Sequence, residues 1–350
     1  MKEQYREIGS EFWLNDLHDK SDSVHLLSGR TAIDLILQDL NATGLEAKHV
    51  YMPAWCCDSM IQPFKERGVS IKFYDVSFKD GHLFYDIDEN CPVDIFYVTN
   101  YFGYNSTLPI ETVIQFKQYG ATVINDRTHS LLMTDDLIDS IADYSFGSIR
   151  KWMGVVSGAY LNKREGILNV PELGVFPYMT DRIEAMKMKA AYMSGNKTVN
   201  KKEFLDKYSQ FAHHLEEDYR NYRMDEESLN MWLHADKQTL KNARRNNAMM
   251  LQKLLEGLPQ MKLMFSMEKD NCPLFVPVLL SNKEERDAMR RHLTTKAIYC
   301  PIHWPKPVFI DASMKVNTIY DCELSLLCDQ RYGYEDMQRI INVIMGFYKF

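Results

Sequence analysis

Between residues 28 and 165 the chain alternates short apolar runs with amphipathic stretches, and this alternation limits the available folds more than any other feature. Residues 50–52, 71–76, 93–98 and 121–125 read as strands, and residues 58–67 and 108–119 carry apolar side chains at helical spacing. The run Val93-Asp94-Ile95-Phe96-Tyr97-Val98 is nearly continuous, as in a strand covered on both faces. Alternating β and α of this kind predicts a largely parallel, two-sided sheet. Ligands of such sheets bind at the carboxyl ends of the strands. Pro53-Ala54-Trp55, Asn100-Tyr101 and Asp126 are expected on that rim.

The second half reads differently. Residues 183–257 form long helices rich in Lys, Glu, Met and Leu, divided by the polar break Ser194-Gly195-Asn196-Lys197-Thr198. From Cys272 the pattern becomes a strand at 274–280, a helix at 283–294, a strand at 297–300 and a closing amphipathic helix at 334–347. The expected organisation is a large α/β domain over residues 1–240 and a smaller α+β domain over 241–350. With 350 residues, 45% of them hydrophobic, the chain has ample material for both cores. A net charge of -7 argues against a nucleic-acid surface. The polar start MKEQYREIGSEFWLNDL lacks the apolar core of a signal peptide, and no apolar run approaches the roughly 20 residues that span a bilayer. A soluble, cytoplasmic protein without membrane contact is expected. The seven cysteines show no CxxC spacing, and the adjacent His213-His214 pair lacks the i, i+4 spacing of helix-borne ligands, so no metal site is expected.

The strand 121–125 runs into a carboxylate, Asp126, and Ser148-Ile149-Arg150-Lys151-Trp152 then places a lysine in a turn among small and aromatic residues. A strand-end aspartate followed by such a lysine is what a pyridoxal 5'-phosphate (PLP) site needs. The amine condenses with the cofactor's aldehyde, and the carboxylate keeps the pyridine nitrogen protonated so that the ring draws electrons. Lysine is nucleophilic only as the free amine, which asks for desolvation or a neighbouring cation; Trp152, Met153 and Arg150 supply these. Plainer readings stand beside each residue. Asp126 is an N-cap if Arg127-Thr128-His129 opens a helix, and Lys151 is a solvated side chain following a strand. His129 either meets the cofactor's phenolic oxygen, orients Asp126, or is an ordinary loop histidine. Ser28-Gly29-Arg30-Thr31, ahead of an apolar-periodic helix, is either a capped helix start or an anion site built from backbone N–H groups with the Arg30 and Thr31 side chains.

Taken together, these pieces resemble the DegT/DnrJ/StrS family of sugar aminotransferases, PLP enzymes of fold type I. Ser28-Gly29-Arg30-Thr31-Ala32 is similar to the family's phosphate turn, and Pro53 and Gly68 keep its interval from a Pro to a Gly. Phe73-Tyr74-Asp75-Val76, Tyr101-Phe102-Gly103-Tyr104 and Asn125-Asp126-Arg127-Thr128-His129 resemble its successive strand, turn and aspartate motifs, and Asn221-Tyr222-Arg223-Met224 matches a further segment. The resemblance implies a PLP-dependent transferase fold with a large, mostly parallel-sheet domain and a smaller C-terminal α+β domain. It implies Lys151 as the cofactor lysine and general base, Asp126 as the pyridinium partner, and Gly29, Arg30, Thr31 and Ser148 at the phosphate. It also implies Asn221 reaching the phosphate of a neighbouring subunit, hence a homodimer with a shared active site.

There are departures from the pattern. Cys57 stands where relatives carry a ring-stacking aromatic, with Trp55 two residues away as a replacement. Phe146 stands where relatives often carry a phosphate-binding serine, and Val156-Ser157-Gly158-Ala159 replaces a glycine run. Tyr101, His303, Trp304 and Arg331 are candidates for the substrate side. The implied reaction is transfer of an amino group from an amino acid such as glutamate to a keto-sugar, nucleotide-linked or related, in polysaccharide or amino-sugar synthesis. The alternatives are another PLP reaction on a small keto or amino compound, or a PLP-binding regulatory homologue without turnover.

Overall fold

The computed structural model describes residues 8–9, 23–104, 110–134 and 137–348. In chain order, the first half comprises β1 (Ile8–Gly9), β2 (Val24–Leu26), α1 (Gly29–Ala42), β3 (His49–Pro53), α2 (Asp58–Glu66), β4 (Ser70–Lys79), β5 (His82–Asp86), β6 (Ile95–Thr99), α3 (Ile110–Gln118), β7 (Thr122–Asp126), β8 (Tyr144–Ser148) and β9 (Ala159–Lys163). The start of the helix expected at 108–119 lies outside the described residues. Eight of these strands form one sheet in the order β2-β9-β8-β7-β6-β3-β4-β5. The central five, β8-β7-β6-β3-β4, pair in parallel, as the β–α alternation predicts. Antiparallel strands flank them: β5 on one edge, β9 and then β2 on the other.

Every residue of β6 and β8 is buried, as expected where helices cover both faces. Register sets the rim of the future site. Thr99, the last residue of β6, pairs with Asp126, the last of β7, and Asp126 pairs with Phe146 of β8. The chain runs from β3 outward to β4 in one direction and then to β6 on β3's other side. The loops after β3 and β6 therefore diverge and open a crevice at the carboxyl ends.

The second half contains α4 (Met179–Met193), α5 (Lys201–Glu217), α6 (Glu226–Leu233), α7 (Lys237–Leu255), β10 (Lys262–Leu263), β11 (Val276–Leu279), α8 (Lys283–Thr295), β12 (Ile298–Tyr299), α9 (Asn317–Cys322), β13 (Glu323–Leu326) and α10 (Tyr334–Tyr348). The break at 194–198 divides α4 from α5, as read from its polar residues. A second break, at 218–225, was not legible as one. There Asn221 adopts a left-handed backbone (φ 57°), and the segment pairs with β2 and with Gly174 instead of continuing a helix. β10, β11 and β13 form a separate antiparallel sheet whose apolar faces share one core with α7, α8 and α10. No helix among the described residues is long and apolar enough to cross a membrane.

α1 is fixed to the sheet at its far end by a buried charge. Asp39, wholly buried, accepts hydrogen bonds from Tyr144 of β8 and from Asn169, and pairs with Lys163 of β9 at 2.8 Å. Burial pushes the Asp39 carboxyl up, and the bonds from Lys163, Tyr144 and Asn169 more than offset this, so its pKa lies below the ordinary value. Asp39→Asn strands the Lys163 ammonium, and a loss of about 3–5 kcal/mol is expected, measured by urea unfolding at neutral pH. The sign follows from the lowered pKa. This contribution is present above the unfolded-state pKa and is lost as pH falls through the folded one. The variant's deficit should therefore shrink on acidification.

Candidate active site

A cleft opens at the carboxyl ends of the parallel strands. Its floor is the register row Thr99, Asp126 and Phe146; one wall is the start of α1, Ser28 to Arg30; another is the turn carrying Lys151. Lysine and aspartate, 25 positions apart in sequence, thus face one space.

Asp126 resolves its two readings by doing part of both. Its Oδ1 accepts the Thr128 N–H at 2.8 Å, a local cap, but residues 127–129 form a turn and no helix follows. Its Oδ2 accepts the Tyr97 hydroxyl at 2.7 Å. Burial pushes the Asp126 pKa up; the bonds from Thr128 and Tyr97 and the charge of Lys151 oppose the rise without cancelling it.

Lys151 ends the short 3-10 turn Ile149–Lys151. Two anchors hold that turn. The Ile149 N–H bonds to the Gly158 carbonyl, and the Trp152 indole donates to the Thr128 carbonyl at 2.7 Å. Thr128 also receives the Ser148 N–H on its Oγ1, so one threonine links Asp126, Ser148 and the lysine turn. Arg244, fully buried, donates to the Trp152 carbonyl and lies 4.6 Å from its ring. Neither Thr128 nor Arg244 stood out in the sequence. Thr128 had a signal, its place in the aspartate motif, whereas Arg244 sits in a helix full of other charges. Gly158 is required where it stands: its φ is 146°, and a Cβ there would lie 2.7 Å from the Met224 methyl. That contact joins the altered glycine run to the Asn-Tyr-Arg-Met segment.

Of the other expected residues, Gly29, Arg30, Cys57, Ser148, His129 and Trp304 line this cleft. Four do not. The Thr31 hydroxyl turns inward, donating to the Tyr219 carbonyl at 2.7 Å. Trp55 is fully buried, stacked on Tyr101 at 4.3 Å, with its indole donating to the His303 carbonyl. Trp55 thus stays in the core, and the tryptophan facing Lys151 is Trp304, with Nζ 5.8 Å from the ring centroid. Tyr101 is equally buried, its hydroxyl donating to the Trp55 carbonyl. Asn221, half-buried, accepts from Gln38 Nε2 at 2.7 Å within the same chain. His129 does not orient Asp126, because neither of its ring nitrogens has a hydrogen-bond partner. Lys151 and Arg150 also border a larger outer compartment, lined on its other side by His303 and by Arg331, which is paired with Asp329 at 2.8 Å.

Unpartnered buried atoms define what this cleft fits. Arg30 Nε, Thr99 Oγ1 and both nitrogens of His129 are buried without partners. Buried polar groups are normally satisfied, so a ligand rich in polar atoms belongs here. Arg30 and the N-terminus of α1 suit an anion, Asp126 suits a cationic ring N–H, and Lys151 is an amine available for condensation with an aldehyde. The residues present fit PLP. Among the described residues, no group of three or more His, Cys, Asp or Glu is placed to hold a metal ion.

No family model matches the chain, and no curated protein matches its sequence. Solved structures do. PseC from Helicobacter pylori, an aminotransferase involved in the biosynthesis of pseudoaminic acid, superposes with a TM-score of 0.68 at 13% identity, over 99% of this chain and 100% of that one. The fold is that of an aminotransferase. A DegT/DnrJ/EryC1/StrS aminotransferase from Brucella abortus matches at a TM-score of 0.60 and 14% identity, covering 93% of this chain and 86% of that one. NtdA from Bacillus subtilis, solved with bound cofactor PMP, matches at 0.65 and 16%, covering 95% and 74%. The expected fold class, an α/β PLP-transferase fold with a mostly parallel central sheet, is therefore correct.

Proposed function

We propose that this chain is a PLP-dependent aminotransferase that moves an amino group from an amino acid such as glutamate to a keto-sugar or related carbonyl compound. The observation that carries the reading is that Asp126, Lys151 and the Ser28–Arg30 helix start line one cleft. Two structural neighbours, PseC of pseudoaminic acid biosynthesis and the PMP-bound NtdA, support the same chemistry. A cytoplasmic homodimer, with Asn221 reaching the partner's site, is part of this proposal.

PLP, when bound, supplies an electron sink that acidifies the donor's α-carbon. The chain's residues do the rest. Gly29, Arg30 and Ser148 bind the phosphate, with α1's N-terminal N–H groups pointing at it. Asp126, held by Tyr97 and Thr128, accepts the ring N–H. Lys151 Nζ would hold the cofactor and would serve as the general base, taking the proton from the donor's α-carbon and delivering it across the 1,3-shift that amino transfer requires. Trp304 and His129, with ring centroids 5.1 Å apart, wall the space beside Nζ. The outer compartment, with Arg331 and His303, receives the substrates.

The deciding experiment is a half-reaction. Purified protein loaded with PLP and mixed with glutamate should release pyridoxamine phosphate and 2-oxoglutarate. Cofactor that stays bound while no donor amine is turned over would replace this reading with the regulatory one.

His129 offers a separate check. Burial and the charges of Lys151 and His303 hold its pKa well below the ordinary value, so it is a neutral, buried group whose ring nitrogens have no partner. His129→Leu removes that penalty, and the cofactor-free protein is expected to be as stable as wild type or up to about 2 kcal/mol more stable. PLP affinity should fall by about tenfold, the loss of one hydrogen bond of roughly 1.4 kcal/mol. Thermal unfolding and a fluorescence titration measure the two.

A further inference from the structure

The outer compartment has a polar device behind it that the reading above does not use. In β13 the sequence Glu323-Leu324-Ser325-Leu326 alternates polar and apolar residues, so Glu323 and Ser325 share one face of the strand. Leu324 and Leu326 fill the small core, yet the polar face is also buried, Glu323 at 1% and Ser325 at 0% exposure. Polar atoms placed on a wholly buried strand face ask for partners, and here these lie in the segment leading to Trp304. Glu323 Oε2 accepts the His303 backbone N–H at 2.6 Å, Glu323 Oε1 accepts from Ser325 Oγ at 2.5 Å, and Ser325 Oγ lies 2.8 Å from His303 Nδ1. His303 faces the outer compartment beside Lys151, with its ring packed on Phe275 at 4.8 Å and 5.4 Å from that of His129. Arg286, whose charge acts on Glu323, gives its Nη1 bonds to the main-chain oxygens of Tyr320 and Glu323 and leaves the carboxylate to Ser325 and His303.

We propose that Glu323, Ser325 and His303 form a proton relay that sets whether His303 Nε2 faces substrate as a base or as an acid. This rests on the aminotransferase reading for its use, but not for its existence. With Glu323 ionised, Ser325 Oγ–H donates to Oε1, and Oγ accepts the His303 Nδ1–H, leaving Nε2 bare as a proton acceptor. With Glu323 protonated, Oε1–H donates to Ser325 Oγ, Oγ–H donates to Nδ1, and the ring proton sits on Nε2 as a donor. Discharge of the second state into the first balances: Nε2 gives its proton to substrate, Nδ1 takes the Ser325 proton, and Ser325 takes the Glu323 proton. Glu323 and Ser325 are positioning residues; His303 alone touches the substrate space.

The groups facing the relay leave Glu323 as its titrating member. Burial pushes Glu323 up to about 8, against the bonds from Ser325 and the His303 N–H and the charge of Arg286. Burial and the charge of Lys151 hold His303 well below its ordinary value, so the ring stays neutral and only its tautomer changes. His129, also neutral, and Cys300, pushed up to about 12 by burial, do not titrate with it.

The test is nitrogen NMR on the full chain labelled with 15N-histidine, the His303 signals being identified by their loss in His303→Gln. The two ring nitrogens should exchange protonated and bare character across a midpoint near that of Glu323. In Glu323→Gln the amide oxygen must face the His303 N–H, so its NH2 faces Ser325, and the proton should stay on Nε2 at every pH. Ser325→Ala should abolish the response and Ser325→Thr should keep it. A wild-type tautomer that does not change, or a response that survives in Ser325→Ala and Glu323→Gln, overturns the relay. For amino transfer, Ser325→Ala should lower kcat by roughly tenfold to a hundredfold at unchanged KM, with Ser325→Thr restoring it; an unchanged kcat in Ser325→Ala also overturns the proposal. A wild type that transfers no amino group counts against the activity reading alone, and the tautomer result then decides the relay.

Discussion

Lys151→Ala should abolish amino transfer while leaving the fold intact. Lys151 lies in a turn held by other atoms, the Ile149 N–H, the Trp152 indole and the Trp152 carbonyl, none belonging to its side chain. Removing the amine therefore costs little stability. In the proposed roles it removes both the covalent attachment and the general base, and a fall of roughly 10⁴-fold or more in the glutamate half-reaction is expected, the upper end of what one positioned acid–base group contributes. Borohydride treatment of PLP-loaded wild type should leave a pyridoxyl mass on the peptide containing Lys151, and none in the variant. A variant that retains a tenth of the wild-type rate would remove Lys151 from the chemistry.

Asp126→Asn comes second in size and is cleaner in interpretation. Asparagine keeps an oxygen to accept from Thr128 or Tyr97, so the local turn survives, but the negative charge is gone. A carboxylate facing a protonated ring nitrogen in a buried site acts as a preorganised charge, and its loss should lower kcat by roughly 10²–10³-fold. The pH dependence has a definite sign. Burial raises the Asp126 pKa in the free protein, so acidification protonates it first there and opens its pairing with the cofactor. Wild-type PLP affinity should therefore weaken as pH falls through the Asp126 pKa, and Asp126→Asn should lack that component. Equal affinity and equal kcat in the variant and wild type would remove Asp126 from the cofactor's partners.

Much of the fold was legible because it rests on local periodicity. The parallel strands β3, β4, β6 and β7 appear where apolar runs end in turn residues, with ends shifted by a few residues at most. The antiparallel strands β2, β5 and β9 were not read as such, since runs of three to five residues carry little periodic signal. The break at 218–225 was missed for a related reason. Asn221-Tyr222-Arg223-Met224 has ordinary helix-compatible composition, and its extended pairing with β2 is decided by a partner some 200 positions earlier. The cleft follows the same division. Lys151, Asp126, Arg30 and Ser148, singled out from motif order, line the cleft, whereas Trp55, read as a stacking replacement, lies in the core and Trp304 stands beside Lys151. Nothing local tells which of two tryptophans is stacked in the core and which lies beside a lysine.

By itself the sequence determined the alternation of elements, the placement of a carboxylate at the end of a central strand and of a lysine in the turn after the next one, and the chemistry those residue types allow. These follow from periodicity, side-chain chemistry and chain order. Only the tertiary structure decided that Thr31 and Trp55 serve the core, that His129 stands unpaired, that Thr128 ties the aspartate to the lysine turn, and that Glu323, Ser325 and His303 form one hydrogen-bonded chain. Each of these depends on where a side chain or carbonyl from a distant segment arrives, and hydrogen bonds of about 3 Å decide it at a range no sequence pattern specifies.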